Sequence, residues 1–128
     1  MKRVKILRHI FRFHGFWESM RLAVTGIAYL FVYHRNMRII FLSGIAVFLL
    51  GIMLKLKGME LVSIFIAVTL VFVAEIFNTA IEMMLDMATR KYNPMIKLIK
   101  DIAAAVVLIT SLNAIAVGVI LFLPKICR

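Results

Sequence analysis

The sequence predicts an all-α integral membrane protein with an N-terminal amphipathic surface helix and three transmembrane helices. The 128 residues are 64% apolar, and their mean hydropathy of +1.04 is too high for a soluble domain with a largely polar surface. Three apolar runs are also long enough to cross a bilayer with their flanking residues. We therefore predict a single membrane domain over residues 1–128, with a surface helix over 1–30 and spans over 39–54, 61–88 and 98–123.

The N-terminal segment has the pattern of an amphipathic helix. Its basic residues Lys5, Arg8, Arg12 and Arg21 lie off an apolar stripe whose members recur at alternating spacings of four and three. Such a helix fits the membrane interface, although a helix packed on a protein partner has the same pattern. The charges also interrupt any long h-region, so we expect no removable signal peptide. The stripe consists of Ile6, Ile10, Phe13, Trp17, Met20, Val24 and Ile27.

The three spans differ in their charges. The first is uncharged between Arg38 and Lys55, whose long side chains can reach the headgroups. The third is uncharged from Ile102 to Pro124, and we expect the proline to end it. The second carries acidic residues in its second half, where apolar lipid would disfavour them.

The distribution of basic residues predicts the orientation and the class of partner. Twelve of the 16 Lys and Arg residues precede the first span or lie between the second and third, so both regions should be cytoplasmic. The formal net charge of +10 sits beside apolar segments, which favours anionic lipids and phosphorylated ligands over nucleic acid. Cys127, the single cysteine, excludes an intrachain disulfide and a cysteine-based metal cluster.

The second span contains a row of polar residues on one helical face. Glu75, Asn78, Glu82 and Asp86 stand at offsets of zero, three, seven and eleven, which places them within an arc of roughly 80° and about 16 Å along the axis. Ionisable residues inside a membrane cost several kcal/mol by most estimates, roughly 2.5–3.5 kcal/mol on insertion scales, and usually mark a site or a pathway. Two alternatives remain: salt bridges to Lys97 or Lys100 that join helices, or a proton or cation pathway in a transporter or channel.

Lys100 and Asp101 open the third span close in height to Glu82 and Asp86. Phosphoryl transfer requires a carboxylate for Mg²⁺, a cation for the phosphates and a base for the attacking hydroxyl. A deep Glu75 can reach an alcohol headgroup, whereas Glu82 can meet a metal-bound nucleotide from the aqueous side. The row therefore offers the parts of a membrane kinase.

The segment EIFNTAIE, followed by KD at positions 100 and 101, resembles the bacterial integral-membrane diacylglycerol kinase family. The similarity extends from about Phe16 to Lys125, and the closing GVILFLPK is most like the undecaprenol kinase branch. The resemblance implies that Glu75 is the general base, Asn78 an active-site polar residue and Glu82 the magnesium ligand. It also implies a homotrimer with composite sites between subunits. The nucleotide contacts that it implies are Glu82, Lys91, Tyr92, Asn93, Lys100 and Asp101.

Two positions depart from the family pattern. His34 in the segment HRNMR stands where the family has a second metal-binding glutamate, and imidazole suits transition metals better than Mg²⁺. We interpret His34 as an interfacial polar residue, with metal ligation as the alternative. Lys91 and Asn93 stand where relatives often have Glu and His, so Lys91 either binds phosphate or only follows the positive-inside rule.

From these features we predict a bacterial cell-membrane kinase, multi-pass with a cytoplasmic N-terminus, that uses ATP and Mg²⁺ to phosphorylate a lipid alcohol. Undecaprenol, giving undecaprenyl phosphate, is the preferred acceptor. Diacylglycerol, giving phosphatidic acid, is the close alternative, because both lipids present a hydroxyl at the membrane surface. A non-enzymatic membrane oligomer that acts as a proton or cation transporter or channel is the competing hypothesis.

Overall fold

Residues 15–127, the part of the chain that the computed structural model describes, form four α-helices and contain no strand. The chain divides into two compact units, one up to His34 and one from Arg35 onward. The helices are α1 (Phe16–Tyr33), α2 (Arg35–Met53), α3 (Gly58–Ala88) and α4 (Pro94–Ile126). The prediction of an all-α protein is confirmed.

The described part of the first unit consists mainly of α1. This helix continues the predicted amphipathic segment three residues beyond its predicted end at 30, and its last carbonyls are closed by the His34 N–H, which donates to Leu30 O at 2.9 Å. The stripe residues Ile6, Ile10 and Phe13 and the cations Lys5, Arg8 and Arg12 lie outside the described residues. Placement of α1 on the membrane surface stays a prediction.

The second unit contains three helices long and apolar enough to cross a membrane, α2, α3 and α4. They have 19, 31 and 33 residues, or about 28, 46 and 50 Å at 1.5 Å per residue. The positions of the spans in the membrane stay a prediction. The three helices begin three or four residues before the predicted spans at 39, 61 and 98, because backbone hydrogen bonding does not stop where apolar sequence stops. One additional turn at the start of α2 carries Asn36, and one at the start of α4 carries Lys97.

Pro124 does not end α4, which continues for two residues to Ile126. Proline lacks the N–H that would donate to the carbonyl four residues earlier. One missing hydrogen bond in the final turn is tolerable, because carbonyls near a helix end already lack partners within the helix.

The connection between α2 and α3 is a tight turn built on Lys55. Lys55 has a φ of 55°, and the N–H groups of Lys55 and Leu56 donate to the carbonyls of Ile52 and Gly51, both at 3.0 Å. This pair of bonds is the Schellman pattern that closes helix C-termini. Leu56 is buried, so the turn fixes the angle at which α3 returns across the membrane.

The helix α3 packs against both α2 and α4. Small residues allow the close approach: a Cβ at Gly44 would lie 2.5 Å from Cγ1 of Val68, and one at Gly51 would lie 3.1 Å from Cδ1 of Leu56. Small residues at helix contacts are typical of membrane proteins. At the end opposite the site, Glu60 accepts a bond from the Lys57 N–H at 2.6 Å and pairs with Lys125 at 3.8 Å.

Candidate active site

The predicted polar row lies on α3, and its burial decreases toward the end of the helix. The Glu75 side chain is buried, with the residue 4% exposed, whereas Asn78 and Glu82 are half-buried and Asp86 is exposed. The row thus leads from the packed interior of the helix unit to its surface.

Glu75 contacts the first turn of α2. Its Oε1 accepts a hydrogen bond from Nδ2 of Asn36 at 3.1 Å, and the neighbouring Met37 is fully buried. Burial of Met37 fixes the first turn of α2 against the unit. The buried carboxylate is therefore bound by a neutral amide from another helix.

Asn78 and Glu82 form a second amide–carboxylate pair one turn apart. Asn78 Nδ2 donates to Glu82 Oε1 at 3.3 Å, a contact that the four-residue spacing on one helix allows. The Asn78 Oδ1 atom is buried and has no hydrogen-bond partner among the described residues. A buried amide oxygen without a partner is unusual in a folded protein and indicates a place for an absent donor or cation.

The surface end of the row is joined to α4 by an ion pair. Lys100 Nζ lies 2.5 Å from Asp86 Oδ1, so Lys100 meets the acidic end of α3 as its position predicted. Asp101 instead pairs with Lys97 on its own helix at 2.7 Å. The Asp86 pair fits the alternative in which a carboxylate joins helices, but Glu75 and Glu82 accept bonds from amide side chains.

A basic cleft of about 670 Å³ lies over the loop between α3 and α4. Four of its lining residues are cationic and one is acidic, which favours a polyanionic ligand. The loop is held by local bonds: the Lys91 N–H donates to Thr89 Oγ1 at 3.1 Å, and Asn93 Oδ1 caps α4 by accepting from the Met95 N–H at 2.9 Å. The cleft is lined by Asp86, Thr89, Arg90, Lys91, Tyr92, Asn93, Ile96, Lys97 and Lys100.

The predicted metal ligands belong to different compact units of the chain. Glu82 lies on α3, whereas His34 ends α1 in extended backbone, with its ring 6.1 Å from that of Tyr29. Within residues 15–127 no group of three or more His, Cys, Asp and Glu side chains could hold a metal ion. Metal ligation by His34 stays a prediction.

Sequence reasoning did not assign three residues of this region to the site. Asn36 belongs to the segment HRNMR that contains His34, and that segment was the available signal for its contact with Glu75. Arg90 and Lys97 line the basic cleft. Their signal was the spacing of basic residues around the loop, which the positive-inside rule alone could explain.

Comparison with known proteins gives consistent matches over most of the chain. The family model described as prokaryotic diacylglycerol kinase matches residues 21–122. A diacylglycerol kinase of Synechocystis sp. is 34% identical over 109 residues, which are 84% of this chain and 62% of that relative. An undecaprenol kinase of Bacillus subtilis is 31% identical over 112 residues, which are 88% of this chain and 82% of that relative. The chain thus spans less than two thirds of the length of the first relative.

Proposed function

The chain belongs to the prokaryotic diacylglycerol kinase family, and from that premise we propose that it is a membrane lipid kinase that transfers the γ-phosphoryl group of ATP to a lipid alcohol. One observation carries the proposal beyond family membership. A buried carboxylate, a half-buried carboxylate beside an amide oxygen without a partner, and a basic cleft follow one another at one end of the helix unit. Base, metal site and phosphate site are the three parts that the reaction needs.

Glu75 acts as the general base in this proposal. The lipid hydroxyl oxygen forms a bond to the γ-phosphorus, the bond to the bridging oxygen of ADP breaks, and the hydroxyl proton passes to the Glu75 carboxylate. A base works when it lies within hydrogen-bond reach of the proton that it takes. The deep position of Glu75 suits an acceptor hydroxyl that approaches from within the membrane.

Glu82 and Asn78 are suited to hold Mg²⁺. The Glu82 carboxylate and the Asn78 Oδ1 atom both offer oxygen, which Mg²⁺ prefers. Magnesium in kinases is usually held by one or two carboxylates together with substrate phosphates and water, so this small set of ligands is sufficient. When bound, the ion neutralises charge on the β- and γ-phosphates.

The basic cleft is the proposed nucleotide site. Lys91, Tyr92 and Asn93 line it together with Lys100, and Asp101 lies beside it through its pair with Lys97. Arg90 and Lys97 join the set of cations that face the phosphates. Release of Lys100 from Asp86, or of Lys97 from Asp101, on nucleotide binding exchanges an exposed ion pair for a pair with phosphate.

Undecaprenol is the preferred acceptor and diacylglycerol the alternative. Two adjoining cavities of about 210 and 500 Å³ follow α3 between α2 and α4. They begin at Val71, one turn from Glu75, and extend to Leu123 and Ile126 at the far end of α4. The two cavities share four lining residues, and adjoining apolar cavities of this kind support a long hydrocarbon tail. The relatives include an undecaprenol kinase and a diacylglycerol kinase, which is consistent with either acceptor.

We further propose a bacterial cell-membrane location, with the N-terminus and the basic cleft on the cytoplasmic side, and assembly as a homotrimer. The positive-inside rule supports the orientation. Many large apolar side chains of α2, α3 and α4 are exposed in the single chain, and lipid or further copies of the chain must cover them.

The direct test is a phosphorylation assay in lipid micelles. Purified protein is incubated with Mg²⁺ and ATP labelled at the γ-phosphate, with undecaprenol and diacylglycerol offered separately. We expect label in undecaprenol with the native chain and none with Glu82→Ala, whereas Glu60→Gln, which removes a charge from the opposite end of α3, should retain activity. Label only in diacylglycerol would reverse the acceptor, and absence of label from both lipids would contradict the kinase function.

A further inference from the structure

Asn36 forms a hydrogen bond with the buried carboxylate of Glu75, and the family comparison assigns no role to this residue. Its Nδ2 atom donates to Glu75 Oε1 at 3.1 Å, across 39 positions of sequence and from a different helix. Asn36 itself is exposed, whereas Glu75 is 4% exposed. The contact therefore reaches from the surface of the unit to a buried carboxylate.

A neutral amide is a chemically suitable partner for a carboxylate base. A buried charged group requires hydrogen bonds to replace those it would make with water. A lysine partner would place a positive charge beside the carboxylate and make it a weaker base for the substrate proton. An asparagine N–H donates a hydrogen bond without adding charge, and the amide does not take up the proton itself. The bond to Oε1 also fixes the plane of the carboxylate.

The first turn of α2 is well placed to hold this amide still. Met37, the next residue, is fully buried, so the backbone that carries Asn36 is anchored in the unit. Because this turn is anchored, the Asn36 amide can restrict the movement of the Glu75 carboxylate that it contacts. A catalytic base must be held to within about 0.5 Å of its working position.

We propose that Asn36 is a positioning residue for the phosphoryl-transfer reaction, whose amide N–H holds the Glu75 carboxylate in the orientation that accepts the proton of the lipid hydroxyl. The proposal rests on the proposed lipid kinase function. It assigns to Asn36 no contact with the nucleotide, and it therefore predicts an effect on turnover and little effect on ATP binding.

The first experiment compares Asn36→Leu with the native chain. Leucine has a similar size, is compatible with a membrane helix and removes the donor; Asn36→Gln restores an amide on a longer side chain. We expect kcat to fall about 10- to 100-fold in Asn36→Leu, with the KM for ATP changed less than about twofold, and to recover in part in Asn36→Gln. Asn113→Leu, an asparagine of α4 outside the site, is the matched control and should leave kcat near the native value.

A double-mutant cycle separates positioning from a purely structural role. In the Glu75→Asp chain the shortened carboxylate no longer meets Asn36, so adding Asn36→Leu should lower the remaining kcat less than about threefold. Equal losses in both backgrounds, or a native kcat in Asn36→Leu, would overturn the positioning role while leaving the kinase function intact. An inactive native chain would overturn the kinase function itself and this role with it.

Discussion

Lys100 of α4 lies 2.5 Å from Asp86 of α3, so an ion pair joins the two helices directly beneath the loop that forms the basic cleft. The same lysine lines the cleft. Lys100 can therefore exchange its carboxylate partner for a phosphate without moving to another part of the molecule. Lys100 thus has two possible roles, pairing with Asp86 and binding phosphate, and substitutions at Lys100 and at Asp86 can distinguish them.

We expect Lys100→Gln to raise the KM for ATP by about tenfold or more, because the phosphates lose a charged hydrogen-bond donor. Asp86→Asn breaks the same ion pair but leaves the lysine free for phosphate, so it should raise the KM for ATP much less. Initial rates at varied ATP measure both. Equal effects of the two substitutions would indicate that only the ion pair between helices matters.

We expect Glu75→Gln to lower kcat by about 10²- to 10⁴-fold, the range typical of a lost general base. The amide keeps the size of the side chain and can still contact Asn36, so the KM for ATP and the oligomeric state should remain near native. The control is Glu60→Gln on the same helix. Substantial turnover in Glu75→Gln would show that another group takes the proton.

We expect Glu82→Gln to raise the Mg²⁺ concentration for half-maximal activity by at least about tenfold, because the only carboxylate of the proposed metal set is lost. Titration of activity with Mg²⁺ at a fixed ATP concentration provides the measurement. Asn78→Leu should shift the same curve in the same direction through loss of the Oδ1 oxygen. An unchanged midpoint in both variants would place the metal elsewhere.

We expect His34→Glu, which introduces the glutamate of the family pattern, to lower the Mg²⁺ requirement by about tenfold, because a carboxylate supplies the oxygen ligand that imidazole lacks. His34→Gln is the control that changes the side chain without adding charge. If His34→Glu leaves the Mg²⁺ midpoint unchanged, position 34 takes no part in metal binding in this chain.

We expect Gly44→Ala to weaken the packing of α2 on α3 by about 1–3 kcal/mol, because its Cβ would lie 2.5 Å from Val68. Gly118→Ala is the matched control in α4, where the added Cβ would lie 3.9 Å from Phe122, an ordinary contact distance. Unfolding in mixed detergent measures both. Equal stability of the two variants would contradict the close approach at Gly44.

The fold and the row on α3 could be predicted from sequence because both depend on local periodicity. Apolar runs locate helices, and offsets of zero, three, seven and eleven place Glu75, Asn78, Glu82 and Asp86 on one face whatever the helix packs against. The burial of Glu75 and the exposure of Asp86 follow from their order along the helix.

The partners of these residues depend on tertiary register, which periodicity does not contain. Asn36 meets Glu75 because the turn at Lys55 sets the height of α2 along α3. Arg90 and Lys97 face the same cleft because the loop folds around Thr89 and Asn93. Asp101 turns toward Lys97 on its own helix, a choice between two nearby lysines that sequence spacing leaves open.

The most direct test of the central claim is the stoichiometry of phosphoryl transfer in a single assay. Native protein and Glu75→Gln are incubated with ATP, Mg²⁺ and undecaprenol in micelles, and mass spectrometry quantifies ADP and lipid phosphate together. We predict equal amounts of ADP and undecaprenyl phosphate from the native chain and a loss of both products in Glu75→Gln. Absence of phosphorylated lipid from the native chain, with undecaprenol or with diacylglycerol, would contradict a lipid kinase built on Glu75.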